Sequence, residues 1–122
     1  MARMSRRLDL LDEALLVRYS GLDAVVILRR AIRVPYAAVR AVTVGLTDPP
    51  GALAVKIGLS TAPFGTRQQG RFREHGRWSF LDVSDRERTV VLDLEGHEFR
   101  RIALTVDDPA GFAERLRGRI GA

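Results

Sequence analysis

The sequence predicts a mainly β domain closed by one C-terminal α-helix. Arg88–Leu94 and Phe99–Val106 each alternate between apolar and polar side chains, and this period of two is typical of half-buried strands. Asp107-Asp108-Pro109 then provides a helix start, because aspartate accepts hydrogen bonds from the first N–H groups of a helix and proline fits its first position. Two strands followed by a helix therefore form the framework of the C-terminal third.

The helix carries an apolar stripe that has to be buried. At helical spacing, one of its faces collects Pro109, Phe112, Ala113, Leu116 and Ile120. A helix of this length is marginal in water on its own. We therefore expect it to lie across the sheet.

A third strand precedes this pair. Arg77–Val83 carries Trp78 and Phe80, and the polar segment Ser84–Glu87 follows it as a turn. We expect the three strands to pair in chain order as an antiparallel β-meander. The large aromatic side chains are interpreted as core or near-core residues because of the apolar area they carry, namely Trp78, Phe80, Phe99 and Phe112.

The first half of the chain adds further short strands, which brings the expected total to seven or eight. Ala24–Arg30 is expected to pair with Ala14–Tyr19 as a hairpin through the turn Ser20–Asp23. Thr47–Gly51 is the strongest break in the chain, and Ser60–Gly70 is interpreted as a long ordered loop. The other predicted segments are an extension of the second strand at Ala31–Val34, a helical turn at Tyr36–Val39, a strand at Arg40–Leu46, a strand at Ala52–Leu59 with a helical alternative at its start, and a strand at Gly70–Glu74.

Length and composition indicate one domain over residues 1–122, with residues 1–11 as a flexible basic N-terminus. The absence of cysteine excludes disulfides and thiolate chemistry. The longest apolar run, Ala24–Leu28, is far too short to cross a membrane, and acidic residues interrupt the only signal-peptide candidate. A cytoplasmic location is therefore expected. The net charge of +5 comes from arginine, with Lys56 as the single lysine, and the excess lies in residues 1–40 and 61–80.

The order of these elements resembles the bacterial pleckstrin-homology (PH)-like domains. The residues that carry the resemblance are Arg33-Val34-Pro35-Tyr36, the glycine-rich middle at Gly65–Gly70, the aromatic strand at Trp78-Ser79-Phe80, the hairpin of Val90–Leu94 and Phe99–Val106, and the helix start at Asp108-Pro109. The resemblance implies a bent antiparallel barrel or sandwich of about seven strands, closed by the C-terminal helix. It also implies a non-enzymatic interaction or scaffold module that docks to a protein partner or to copies of itself.

Two positions depart from the eukaryotic relatives that bind phosphoinositides. Those relatives place several basic residues in the first hairpin loop, whereas this loop is Ser20-Gly21-Leu22-Asp23. They also carry a tryptophan in the terminal helix, where this chain has Phe112. The first departure argues against binding of inositol lipids, and the second is a packing substitution.

No motif predicts catalysis, a metal or a cofactor. His75 and His97 each lie beside a glycine in a predicted turn, and both are interpreted as solvated turn residues. Gly58–Ala62 has the start of a nucleophile elbow, but alanine replaces its final glycine and the helical context is missing. The sequence therefore predicts a protein that is not an enzyme.

One loop is a candidate for binding an anion. Gly65 and Gly70 would free the backbone to point N–H groups at a ligand, and Arg67, Arg71 and Arg73 would add charge. A structural crossover loop with solvated arginines is the alternative. If the site binds, the protein would be a peripheral binder of anionic membrane surfaces, at the inner face of the membrane, or of phosphate-bearing ligands.

The arginines at 29, 30 and 33 raise the question of nucleic acid. Alternation places Arg29 and Arg33 on one face of their strand, with only Tyr36 close enough to stack on a base. A charged edge strand that discourages aggregation explains the same residues. Nucleic acid is therefore not expected as a partner.

Overall fold

The computed structural model describes residues 6–20, 31–46, 55–60, 68–74 and 76–121. Several sequence-based predictions lie outside these ranges: the strand at Ala24–Arg30, most of the turn before it, the break at Thr47–Gly51 and most of the predicted loop at Ser60–Gly70.

A three-stranded antiparallel sheet holds the N-terminal part. Its strands are β1 (Arg6–Leu10), β2 (Ala14–Tyr19) and β3 (Ala31–Pro35), in the order β1-β2-β3. Arg6–Leu10 belongs to the segment that sequence analysis assigns to a flexible tail, yet it pairs with β2 along its whole length. Leu8 and Leu10 alternate with polar neighbours and pack against the core, which explains why this short segment is extended.

A six-stranded sheet contains the remaining strands. They are β4 (Val39–Val44), β5 (Val55–Ser60), β6 (Gln68–Glu74), β7 (Arg77–Val83), β8 (Thr89–Leu94) and β9 (Phe99–Thr105). Their order in the sheet is β4-β8-β9-β7-β6-β5. Single turns of 3₁₀ helix at Tyr36–Ala38 and Arg86–Arg88 lead into β4 and β8, and the predicted helical turn after Pro35 is thereby confirmed.

The predicted β-meander is wrong. β9 lies between β7 and β8, where it pairs in parallel with β7 and antiparallel with β8. The connection after β7 crosses the end of β9: the N–H groups of Ser84 and Asp85 both donate to Thr105 Oγ1, at 3.0 and 3.2 Å. Strands on either side of a third are roughly 10 Å apart, a distance that the turn of 3₁₀ helix helps to span. The polar residues interpreted as a tight turn are therefore a crossover.

The predicted mainly β chain with one C-terminal helix is confirmed, whereas the closed barrel is not formed. Within the described ranges there are nine strands rather than about seven, and no ladder joins the two sheets. The main core instead lies between the sheets and the helix. It contains residues of all three, among them Leu15, Val17, Ile32, Val34, Phe80, Leu92, Phe99, Ile102, Leu104 and Leu116.

The central strands of the larger sheet are buried on both faces. A second cluster, made of Leu46, Phe72, Leu81, Val83, Val91 and Ala103, lies opposite the main core. Alternation predicts half-buried strands, but Val91 and Ala103 are 5% and 0% exposed. Small and β-branched apolar residues on the second face explain why the strands tolerate burial on both sides.

The C-terminal helix α1 (Pro109–Ile120) begins and packs as predicted. The carboxylate of Asp108 accepts a hydrogen bond from the Gly111 N–H at 3.1 Å, and the proline occupies the first turn. Phe112, Ala113 and Leu116 are buried in the main core. The helix contacts β4 and β8, and so lies against one edge of the six-stranded sheet.

Candidate functional site

The β6–β7 hairpin brings two arginines to one tryptophan. The register pairs Arg73 with Trp78 and Arg71 with Phe80. The guanidinium carbons of Arg71 and Arg73 lie 5.7 and 5.9 Å from the centroid of the Trp78 ring, within the range of cation–π attraction. We refer to these three residues as the Arg71–Trp78–Arg73 cluster.

The arginines of this cluster carry charge without a counter-ion in the described part of the chain. Arg71 is half-buried and Arg73 is exposed. Neither forms a salt bridge there, although six other pairs do. Arg71 Nε is buried without a hydrogen-bond partner, a property that it shares only with Arg100 Nε among the described side chains. The cluster therefore has both unbalanced positive charge and a donor with unused capacity.

The strand geometry separates the arginines from their apolar neighbour. Phe72 is 1% exposed and belongs to the second cluster, whereas Arg71 and Arg73 lie on the face that carries Phe80 and the main core. Gln69 precedes them in the strand and is buried. Alternation in sequence thus predicts the common face of the two arginines.

The structure describes only one of the two glycines proposed for this site. Gly65 lies outside the described residues, as does Arg67. Gly70 lies within β6, where it pairs with Gly58 of β5 and Leu81 of β7. Its φ of 138° is rarely accessible to other residues, so glycine is needed there for the backbone. Because strands border it on both sides, Gly70 belongs to the sheet rather than to a loop.

Trp78 is the member of the cluster that sequence reasoning missed. Its aromatic character favoured a core or near-core assignment, and this is confirmed, because it is half-buried and packs against the main core. The signal was present in the hairpin, whose register pairs Arg73 with Trp78 directly across the two strands. Gly76 lies between these strands with a φ of 78°, as a tight turn requires.

An acidic residue on the same face is already used. Asp82 Oδ2 accepts hydrogen bonds from Tyr19 Oη at 2.8 Å and from Arg6 Nη1 at 3.0 Å. Arg6 Nη2 also donates to the carbonyl of Thr105. The carboxylate therefore joins the two sheets and leaves the charge of the Arg71–Trp78–Arg73 cluster unbalanced.

The interpretation of His97 as a solvated turn residue is wrong. Its Nδ1 accepts a hydrogen bond from the Phe99 N–H at 3.1 Å, and its Nε2 lies 2.9 Å from the carbonyl of Arg33. These contacts assign the proton to Nε2, which donates to Arg33. The half-buried ring ties the β8–β9 turn to β3. His75 lies outside the described residues.

A groove of about 200 Å³ lies between β4 and the end of α1. It is lined by Val39, Arg40, Ala41, Val42, Arg117, Ile120 and Gly121, and we refer to it as the β4–α1 groove. Arg117 Nη2 donates to the Val42 carbonyl at 2.8 Å. Arg40 Nε donates to Glu95 Oε1 at 2.6 Å, and this hydrogen bond and charge hold the pKa of Glu95 below its ordinary value.

The described residues contain no group of three or more His, Cys, Asp or Glu placed to hold a metal ion. In the same part of the chain, no helix has the length and apolar character needed to cross a membrane. Comparisons with known protein families, with curated proteins and with solved structures return no match for this chain.

Proposed function

We propose that this protein is a non-enzymatic, PH-like interaction module that binds an anionic, phosphate-bearing group at the Arg71–Trp78–Arg73 cluster. One observation carries the proposal: the buried Arg71 Nε has no acceptor in the described part of the chain, beside a second guanidinium on the same tryptophan. The resemblance of the sequence to PH-like domains and the mainly β fold support the choice of a binding module.

The physical chemistry of the cluster favours an anion. A buried donor without a partner costs roughly 1–3 kcal/mol, and a movement of the half-buried Arg71 side chain that brings Nε to a ligand oxygen would recover part of it. Contact of a guanidinium with a ring face leaves its in-plane N–H groups available for a ligand. Phosphate matches this fork of donors, and a bound anion relieves the repulsion between Arg71 and Arg73.

Two sources of the phosphate have the same chemistry. The group can belong to a soluble molecule or to the headgroups of an anionic membrane, in which case the protein is peripheral at the inner membrane face. The free energy of binding to a membrane is the sum of many weak contacts, each about 1 kcal/mol for a basic residue near the surface. The affinity therefore falls steeply as the salt concentration rises.

The fluorescence of Trp78 gives a direct test, because it is the only tryptophan in the chain. The protein is titrated with inorganic pyrophosphate, and separately with vesicles of phosphatidylcholine with or without phosphatidylglycerol. The variant Arg71→Ser/Arg73→Ser removes the two donors. The control Arg86→Ser/Arg115→Ser removes the same charge from exposed positions on the second 3₁₀ turn and on α1.

We expect a saturable change in emission that is lost in Arg71→Ser/Arg73→Ser and retained in the control. A response to pyrophosphate identifies a soluble ligand group, and a response only to the acidic vesicles identifies the membrane. Equal loss of the emission change in both double variants would show that binding depends only on net charge. That result would contradict a binding site at the Arg71–Trp78–Arg73 cluster. No response to either probe would remove the proposed function.

The resemblance also implies docking to a protein partner or self-association. Light scattering over a range of protein concentrations measures self-association directly. A protein that stays monomeric at high concentration would exclude self-association, and docking to a different protein would then be the remaining expectation.

A further inference from the structure

Within the described residues, strand β4 leaves one of its edges unpaired. Among the described strands it is hydrogen-bonded to β8 alone, because it stands at the end of the six-stranded sheet. The opposite edge faces the C-terminal part of α1 across the β4–α1 groove. An open strand edge is a template for a further strand.

The contacts of the backbone show which groups face this edge. In an antiparallel pair, the N–H and the C=O of one residue point to the same side. Gly45 N–H donates to the Thr89 carbonyl at the start of β8, whereas the Val42 carbonyl points to Arg117. Positions 42 and 44 therefore present their backbone groups to the groove. The Val44 side chain is 40% exposed, one of two large apolar side chains so exposed in the described residues.

The lining of the groove combines apolar surface with positive charge. Val39, Val42 and Ile120 form the apolar part. Among the described residues that line it, Arg40 and Arg117 are the ionisable ones and none is acidic. The chain as a whole carries a net charge of +5. An occupant with carboxylates matches this surface, and an occupant with arginines does not.

We propose that the β4–α1 groove docks an extended acidic peptide segment of a partner protein, which adds to β4 as a further strand. A second copy of this chain is the less favourable occupant, because β4 paired with β4 would bring two sets of Arg40 and Arg117 together. The inference goes beyond the anion site, since the groove shares no residue with the Arg71–Trp78–Arg73 cluster.

Arg117 couples strand addition to recognition of charge. Its guanidinium donates to the Val42 carbonyl and so protects the open edge. A peptide N–H of the incoming strand takes over that carbonyl. Arg117 is then free to pair with a carboxylate of the same peptide. Arg40 is exposed and exchanges its partner Glu95 for the ligand without loss of a buried contact.

The test uses fluorescence anisotropy with two labelled peptides. One alternates Asp or Glu with valine, and the other has the same length with Lys in place of the acids. Val42→Pro removes the outward N–H and leaves the pairing with β8. Arg40→Gln/Arg117→Gln removes the two lining charges, and Arg115→Gln, which removes one exposed charge from the same helix, is a control for charge outside the groove. Circular dichroism establishes that each variant folds.

We expect the acidic peptide alone to bind the wild-type protein. Arg40→Gln/Arg117→Gln should weaken binding about tenfold, from two partly exposed ion pairs, and Val42→Pro should abolish it. Arg115→Gln and Arg71→Ser/Arg73→Ser should bind as the wild type does, which separates this inference from the anion site. Equal binding of both peptides, absence of binding, or a self-association that Val42→Pro abolishes would overturn the proposal. Should Val42→Pro fail to fold, loss of the acidic preference in the double glutamine variant decides the outcome.

Discussion

Tyr19 Oη donates a hydrogen bond to Asp82 Oδ2 across 2.8 Å and thereby joins the three-stranded sheet to the six-stranded sheet. Arg6 Nη1 reaches the same oxygen at 3.0 Å from the neighbouring strand β1. The Asp82 side chain is only 14% exposed. No ladder connects the two sheets in the described part of the chain. This carboxylate is therefore one of the few side-chain polar links between layers that share a mainly apolar core, together with the contacts of His97 with Arg33 and of Arg6 with Thr105.

Replacing Asp82 should destabilise the protein markedly. Asp82→Ala leaves the Tyr19 hydroxyl and the Arg6 guanidinium without their acceptor, so we expect a loss of about 2–3 kcal/mol in the free energy of unfolding. Urea unfolding measures it. Asp9→Ala is the control, because the partners of Asp9 are the exposed Arg7 and Arg18, and its loss should be about 1 kcal/mol or less. Equal losses in the two variants would contradict the assigned role of Asp82.

Two glycines of α1 should respond to alanine in opposite directions. A Cβ on Gly111 would overlap the carboxylate of Asp108 that caps the helix, whereas a Cβ on Gly118 would meet no atom within 4 Å. Gly118→Ala should therefore raise the free energy of unfolding by roughly 0.5–1 kcal/mol. Gly111→Ala should lower it by about 1 kcal/mol through loss of the cap. Thermal unfolding of the two variants makes the comparison, and stabilisation by both would show that the cap is dispensable.

The pKa of Glu95 should depend on Arg40. The hydrogen bond and charge of Arg40 lower this pKa, and Arg77 contributes a smaller lowering. A lowered pKa means that the contribution to stability is present above the ordinary pKa of glutamate and is lost as the pH falls through the folded-state value. Arg40→Ala should raise the pKa of Glu95 clearly, and Arg77→Ala should raise it less. Titration of the Glu95 carboxyl by NMR gives both values; an unchanged pKa in Arg40→Ala would refute the pairing.

Local patterns predicted the elements well because each depends on neighbouring residues. The helix start at Asp108-Pro109 and the strands Ala14–Tyr19 and Arg77–Val83 follow from capping and from alternation. The parallel pairing of β7 with β9 instead joins residues that lie about twenty positions apart in sequence, and Thr105 binds the crossover over a similar separation. No local period carries that information.

The candidate site was predictable in the same limited sense. Alternation placed Arg71 and Arg73 on one face, but the partner across the hairpin is fixed by the turn register, which positions Trp78. The roles expected for Gly65 and Arg67 stay predictions. Burial of His97 between β3 and the β8–β9 turn depends on contact between the two sheets, which the residues next to it do not encode.

The position of β9 also places a requirement on how the six-stranded sheet folds. β9 is the strand that separates the pair β4-β8 from the group β7-β6-β5. All five of these strands precede β9 in the chain, and within the described residues the two groups share a ladder only through it. β7 and β8 must therefore stay apart rather than close into the hairpin that their nearness in sequence favours. We therefore expect the joining of the two groups through the parallel β7–β9 pair to be slow, because chain entropy is lost before such contacts form.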